Sequence, residues 1–106
     1  MGLLDIFDKG DINSGVKKFQ RTKGAILVDV RNQEEYQQGH IPGSINIPES
    51  NIEKIETVTT DLNTPIFVYC LSGAKSWNAT KKLEEMGYKK VTNIGGINNY
   101  TGEKET

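Results

Sequence analysis

Two short runs, Ala25-Ile26-Leu27-Val28-Asp29-Val30 and Ile66-Phe67-Val68-Tyr69, constrain this chain more than any other feature. Both are almost wholly apolar and rich in β-branched residues. Neither shows the polar alternation that would leave one face in water. Strands of this kind are buried on both faces, as in parallel sheets covered by helices on each side.

The segments between the runs read as helices and turns. Val16 and Phe19 suit the inner side of a short helix, with Lys17, Lys18, Gln20 and Arg21 on its wet side. Asn32 and Glu35 are spaced as N-cap and N3 of a capping box, and Gly39 suits the end of that helix. Ile45-Asn46-Ile47 is a minimal strand between Pro42-Gly43 and Pro48, and a further short helix turns Ile52 and Ile55 inward. Ala79, Leu83 and Met86 recur at i, i+4 and i+7, which predicts a helix over about 75–86, with Gly87 at its C′ position. A last strand, Lys90 to Ile94, precedes Gly95-Gly96. Strands alternating with amphipathic helices give a small α/β domain with a mostly parallel sheet.

At 106 residues the chain forms one domain, with no room for a second core. Thirteen basic and fourteen acidic side chains nearly cancel, which gives no electrostatic reason to expect nucleic acid or an anionic membrane as partner. The N-terminal Met1-Gly2-Leu3-Leu4-Asp5-Ile6-Phe7 is too short and too acidic for a signal peptide or a membrane span, and reads as a surface helix or a frayed end. Ile6 stands where a myristoylation start needs Ser or Thr. A soluble cytoplasmic protein, monomeric by default, is the expectation. No His/Cys cluster has metal-ligand spacing and no phosphate loop is present, so neither metal nor cofactor is expected.

Cys70 is the only cysteine, so the fold does not rely on an internal disulfide. It stands at the end of the second run, where ligand sites of parallel sheets form. Leu71-Ser72-Gly73-Ala74-Lys75 then leads into a helix start, whose free amides and dipole favour a thiolate and can cradle an anion. Gly73 permits a left-handed turn, and Ser72 and Ala74 are small enough for a ligand to approach the backbone. A cysteine after a strand is equally at home as a small core hydrophobe. Spacing alone leaves both readings standing.

Four ordered blocks extend beyond this loop. They are Asp29-Val30-Arg31 with Glu34-Glu35-Tyr36, then Gly39-His40-Ile41-Pro42-Gly43-Ser44-Ile45-Asn46-Ile47-Pro48, then Cys70 to Ser76, and last Gly95-Gly96 with Tyr100. In this order and spacing the chain resembles the single-domain rhodanese-like sulfurtransferases over roughly Asp11 to Gly102. The resemblance implies a three-layer rhodanese-like fold, with a small, mostly parallel five-stranded sheet between helices. It also implies sulfur transfer through a persulfide on Cys70, with the amides of Leu71, Ser72, Gly73, Ala74 and Lys75 binding substrate. The partners implied are a small sulfur donor, thiosulfate or a persulfide, and a thiol acceptor, small or on a protein. A weakly active or non-enzymatic relay or interaction module is the other reading.

Lys75 replaces the family's usual arginine and so lacks its bidentate fork. Leu71 stands where many thiosulfate-using members carry a second basic residue. Both weaken the expectation of thiosulfate as donor. Cysteine phosphatases need an arginine at the sixth position after the nucleophile, where this chain has Ser76, so phosphatase chemistry is not expected. His40 reads as a structural residue of its turn, and Asp29 and Arg31 as members of a local ion-pair and capping network that includes Glu34 and Glu35. Trp77 either walls the pocket or packs on the sheet.

Overall fold

The computed structural model describes residues 11–106. The expectation for Met1 to Phe7 falls outside them. Helix α1 spans Ile12–Arg21, and Asp11 caps it by accepting the Asn13 N–H at 3.0 Å. Strand β1 is Ile26–Asp29, α2 is Gln33–Gln38 and β2 is Ser44–Asn46. A kinked 3-10 segment, Glu49–Thr57, carries Ile52 and Ile55 into the core. Strand β3 is Pro65–Cys70, α3 is Ala74–Glu85, β4 is Lys90–Gly96, and a 3-10 turn, Ile97–Asn99, follows.

All strand pairs are parallel and the order is β2-β1-β3-β4. The described residues therefore form four strands and not five. Outside the four strands, the described ladder contact is a single antiparallel bridge between His40 and Glu105. The polar tail after Tyr100 carries no β-branched apolar run that could extend that bridge into a strand.

Strand parity sorts the core into two layers. Val28, Val30, Ile66, Val68 and Cys70 face one side, where they meet Ile52, Ile55, Ala79 and Leu83. Leu27, Phe67 and Tyr69 face the other, against Ile12, Val16 and Ile97. Cys70 thus shares its face with the residues under α3. The continuous apolar character of β3 follows directly, since Ile66 to Cys70 are all buried.

The ladder between β3 and β4 slips by one residue. Val68 pairs with Asn93, and Tyr69 with Gly95, so Ile94 is the extra residue of a bulge. Ile94 packs in the layer beneath α1. The slip also sets Gly96 beside Cys70.

The capping box of α2 is present as expected. Asn32 Oδ1 accepts the Glu35 N–H at 2.8 Å, and Glu35 Oε1 accepts the Asn32 N–H at 3.3 Å. Helix α3 starts one residue earlier than its periodicity implies, and Gly87 lies just past its Met86 C-cap. Among the described residues, no helix is long and apolar enough to cross a membrane.

Candidate active site

Strand β3 ends at Cys70, and its parity aims the side chain at the first turn of α3. The chain must reverse within three residues to start that helix. Gly73 makes this possible with φ +105, a conformation that a side chain would strain. The loop then lies directly on β4. A Cβ on Gly96 would sit 2.3 Å from the Leu71 carbonyl oxygen and 2.6 Å from Ser72 Cα, so only glycine admits this approach.

The reversal wraps donors around the sulfur. The Gly73 N–H donates to Cys70 Sγ at 3.0 Å and the Ser76 N–H at 3.3 Å. The Ser76 hydroxyl lies 3.4 Å from the same atom. Cys70 is 2% exposed and Ser76 fully buried. Burial pushes the Cys70 thiol up. The Ser76 hydroxyl and the amides of Ser76, Gly73 and Ser72 together outweigh it, so the thiol lies below its ordinary range. This is the environment of an activated nucleophile, although the residue is as buried as a core cysteine.

A cavity of about 200 Å³ opens above the sulfur, lined by Arg31, Glu35, Cys70, Leu71, Ser72, Ala74 and Lys75. A larger cleft of about 410 Å³ runs between α2 and the 3-10 segment, but its lining, from Gln33 to Lys54, does not include Cys70. Of the expected loop residues, Leu71, Ser72, Ala74 and Lys75 line the cavity beside Cys70. Gly73 takes part through its amide. Leu71 is 45% exposed at the mouth.

Three residues enter the site that sequence reasoning did not assign to it. Arg31 and Glu35 arrive from the β1–α2 connection. Arg31 forms an ion pair with buried Asp29 at 2.7 Å, and not with Glu34 or Glu35, while also donating to the Gly39 carbonyl at 2.7 Å. Burial opposes its charge, and the hydrogen bonds and charge of Asp29 more than restore it. Ser76 is the third. Its place three residues before Ala79 and seven before Leu83, on the buried stripe of α3, was the available signal.

The other singled-out residues lie elsewhere. Trp77 neither walls the cavity nor packs on the sheet. It is 56% exposed, because Ser76, Ala79 and Leu83 occupy the inner face of α3, and Lys81 Nζ sits 5.1 Å from its ring centroid. His40 stacks on Tyr36 at 3.8 Å, and its Nδ1 lies 2.8 Å from the Tyr36 carbonyl. Tyr100 packs against the layer under α1 and donates to the Glu103 carbonyl at 3.0 Å. Among the described residues, no group of three or more His, Cys, Asp or Glu could hold a metal ion.

Comparison with known proteins agrees with this geometry. Residues 13–103 match the sequence model of the rhodanese-like domain. The chain is 46% identical to thiosulfate sulfurtransferase PspE of Escherichia coli over 71 residues, 66% of this chain and 68% of PspE. It is 42% identical to thiosulfate sulfurtransferase 18 of Arabidopsis thaliana, over 69% of this chain and 63% of that protein's length. In several other relatives the matched part is less than half of the protein. A solved Escherichia coli structure described as rhodanese with anions superposes with a TM-score of 0.72 at 41% identity, covering 77% of this chain and 98% of the other. With the family model matched along nearly the whole described chain, and PspE 46% identical over two thirds of its length, this protein belongs to the rhodanese-like domain family.

Proposed function

We propose that the chain is a sulfurtransferase that carries sulfur on Cys70. The Cys70 thiolate attacks the outer sulfur of a donor, forming a new S–S bond as the donor's own S–S bond breaks. Thiosulfate would release sulfite, and a persulfide would release its thiolate. An acceptor thiolate then attacks the terminal sulfur, takes it as its own persulfide and restores the Cys70 thiolate. The observation that carries this reading is the pair of N–H groups from Gly73 and Ser76 on Sγ, beside a cavity of about 200 Å³. Amides already directed at the sulfur act on the charge it holds without reorganising.

The charges favour a persulfide over thiosulfate as donor. Lys75 and Arg31 are positive, but Glu35 shares the lining and Asp29 is paired with Arg31. A dianion gains little there. The apolar Leu71 at the mouth favours an acceptor thiol on a protein, which is the relay form of the same chemistry.

Intact mass tests both readings. After treatment with glutathione persulfide the chain should gain about 32 Da, which cyanide removes, while Cys70→Ser gains nothing. Charging of Cys70→Ser would refute the mechanism. Wild type that charges without turning over small thiols would establish the relay form.

A further inference from the structure

The Ser76 hydroxyl has more partners than it can serve, since it carries one hydrogen. Asn93 Oδ1 lies 2.7 Å away, the Gly73 carbonyl 3.1 Å and Cys70 Sγ 3.4 Å. The shortest contact assigns the hydrogen to Asn93 while Cys70 is a thiol. The thiol S–H can then donate to a Ser76 lone pair. Once Cys70 has lost its proton to water at the cavity, that lone pair faces an anion. The hydroxyl relieves this by turning its hydrogen to Sγ.

Asn93 is arranged to let the hydrogen go. Its Oδ1 also accepts the Gly95 N–H at 3.0 Å, and its Nδ2 donates to the Gly73 carbonyl at 3.3 Å. The carboxamide therefore stays oriented whichever way the hydroxyl points. The β4 bulge provides the placement: Ile94 packs beneath α1, while the Asn93 side chain reaches Ser76 and Gly73 at the start of α3. The charged groups facing Cys70 are Arg31, Glu35 and Lys75 on the cavity lining. The residues of β4 at this site, Asn93, Gly95 and Gly96, carry no charge.

We propose that Asn93 is a positioning residue for Cys70, whose Oδ1 holds the Ser76 hydroxyl hydrogen in the thiol state and releases it to Sγ in the thiolate state. The inference rests on Cys70 being the sulfur-carrying nucleophile. In the persulfide, negative charge moves to the terminal sulfur, and the hydroxyl returns to Asn93.

A double-mutant cycle tests it, reading iodoacetamide alkylation of Cys70 across a pH series, with circular dichroism to verify folding. Below the titration midpoint the rate follows the thiolate fraction. With Asn93 in place, Ser76 gains a bond to sulfur only by giving one up, so Ser76→Ala should slow alkylation about threefold. In an Asn93→Ala background the same change should slow it more, about tenfold, because only the longer Gly73 carbonyl contact at 3.1 Å still competes for the hydrogen. In Asn93→Asp the carboxylate holds the hydrogen more strongly, and Ser76→Ala should have almost no effect. The order Asp, Asn, Ala supports the assignment. Equal effects in all three backgrounds, or a reversed order, overturn it, because an anchor that merely stiffens the loop does not couple to the hydroxyl in this way. Should Asn93→Ala not fold, the Asn and Asp backgrounds decide alone: an effect in Asp as large as in wild type overturns the proposal. Alkylation involves no sulfur transfer. Failure of wild type to gain sulfur mass would refute the proposed function and leave the cycle standing, whereas normal charging with a flat cycle removes only the role of Asn93.

Discussion

Gly96→Ala tests whether the Cys70 loop is held by contact with β4. The added Cβ would lie 2.3 Å from the Leu71 carbonyl oxygen, 2.6 Å from Ser72 Cα and 2.8 Å from the Leu71 carbonyl carbon. Ordinary contact distances are about 3.5 Å, so relief needs a movement of about 1 Å. All three atoms are backbone, and no side-chain rotation can supply that movement. One anchor resists it: the Asn98 N–H donates to the same Leu71 carbonyl at 3.1 Å. Overpacking of this kind costs about 1–3 kcal/mol, read as a shift of the urea midpoint at constant slope. The chemical consequence is larger. A 1 Å loop shift carried into Gly73 stretches its amide contact on Sγ from 3.0 Å to about 4 Å, the limit of a hydrogen bond to sulfur. A hydrogen bond to a charged group contributes about 1.5–3 kcal/mol, so losing even one should slow alkylation of Cys70 at mildly acidic pH at least tenfold. A folded Gly96→Ala protein that alkylates at the wild-type rate would refute the claim that this contact places the amides.

Three further outcomes follow from the same structure. The Cys70 thiol lies below the 9.0 of an unfolded cysteine. Between the folded value and 9.0, the unfolded chain holds a proton that the folded chain has lost, so stability rises with pH in that window and the contribution disappears as pH falls through the folded value. The unfolding free energy of wild type minus that of Cys70→Ser should therefore grow toward alkaline pH, and a flat or falling difference in urea titrations contradicts the assignment. Gly15→Ala would put a Cβ 2.5 Å from Ile94 Cβ and should destabilise by about 1–3 kcal/mol, as measured by the shift of the urea midpoint, and an unshifted midpoint would contradict the close packing of α1 on β4. Lys75→Arg should raise kcat/KM for thiosulfate more than for a persulfide donor, since the guanidinium fork suits the larger, dianionic oxyanion, and equal gains on both donors would remove that argument.

Much of this was legible in the sequence because it is local or periodic. β3 announces its burial by unbroken apolar character, and the α2 capping box needs only residues 32 to 35. The Cys70 turn follows from a strand, a glycine and a helix start in immediate succession. What escaped depends on pairing across the fold. Asp29 and Arg31 read as a local ion-pair network, which their 2.7 Å contact bears out, but nothing near Arg31 shows that the paired guanidinium also lines a cavity built by β3 and α3. The role of Asn93 depends on a one-residue slip between β3 and β4, and an apolar pattern does not encode a bulge. Neither alternative for Trp77, walling the pocket or packing on the sheet, is met, since a large aromatic beside the Cys70 loop invites a buried role that its neighbours already fill. Its helical phase, one step after buried Ser76, turns it to solvent.

The same pairing explains how the site can favour an anion without being strongly positive. Arg31 is held on Asp29 through three side-chain hydrogen bonds of 2.7 to 3.1 Å, so its charge is largely answered before a ligand arrives. Lys75 and Glu35 line the cavity with opposite signs. What remains directed at Sγ is the backbone: the Gly73 and Ser76 amides at the amino end of α3, whose partial charges are fixed in direction and act over a short range. Such a field stabilises charge on one atom next to the helix end more effectively than charge spread over the oxygens of a distant group. A thiolate, and the persulfide that extends it by one sulfur, fit that description. A bound dianion must instead be met by side-chain cations, and here those are a lysine in place of the usual arginine and an arginine already paired. Under the proposed function, nucleophile activation and donor preference fall to different parts of the site, the amides for the first and Lys75 and Arg31 for the second, which is why Gly96→Ala should impair every donor alike while Lys75→Arg should separate them.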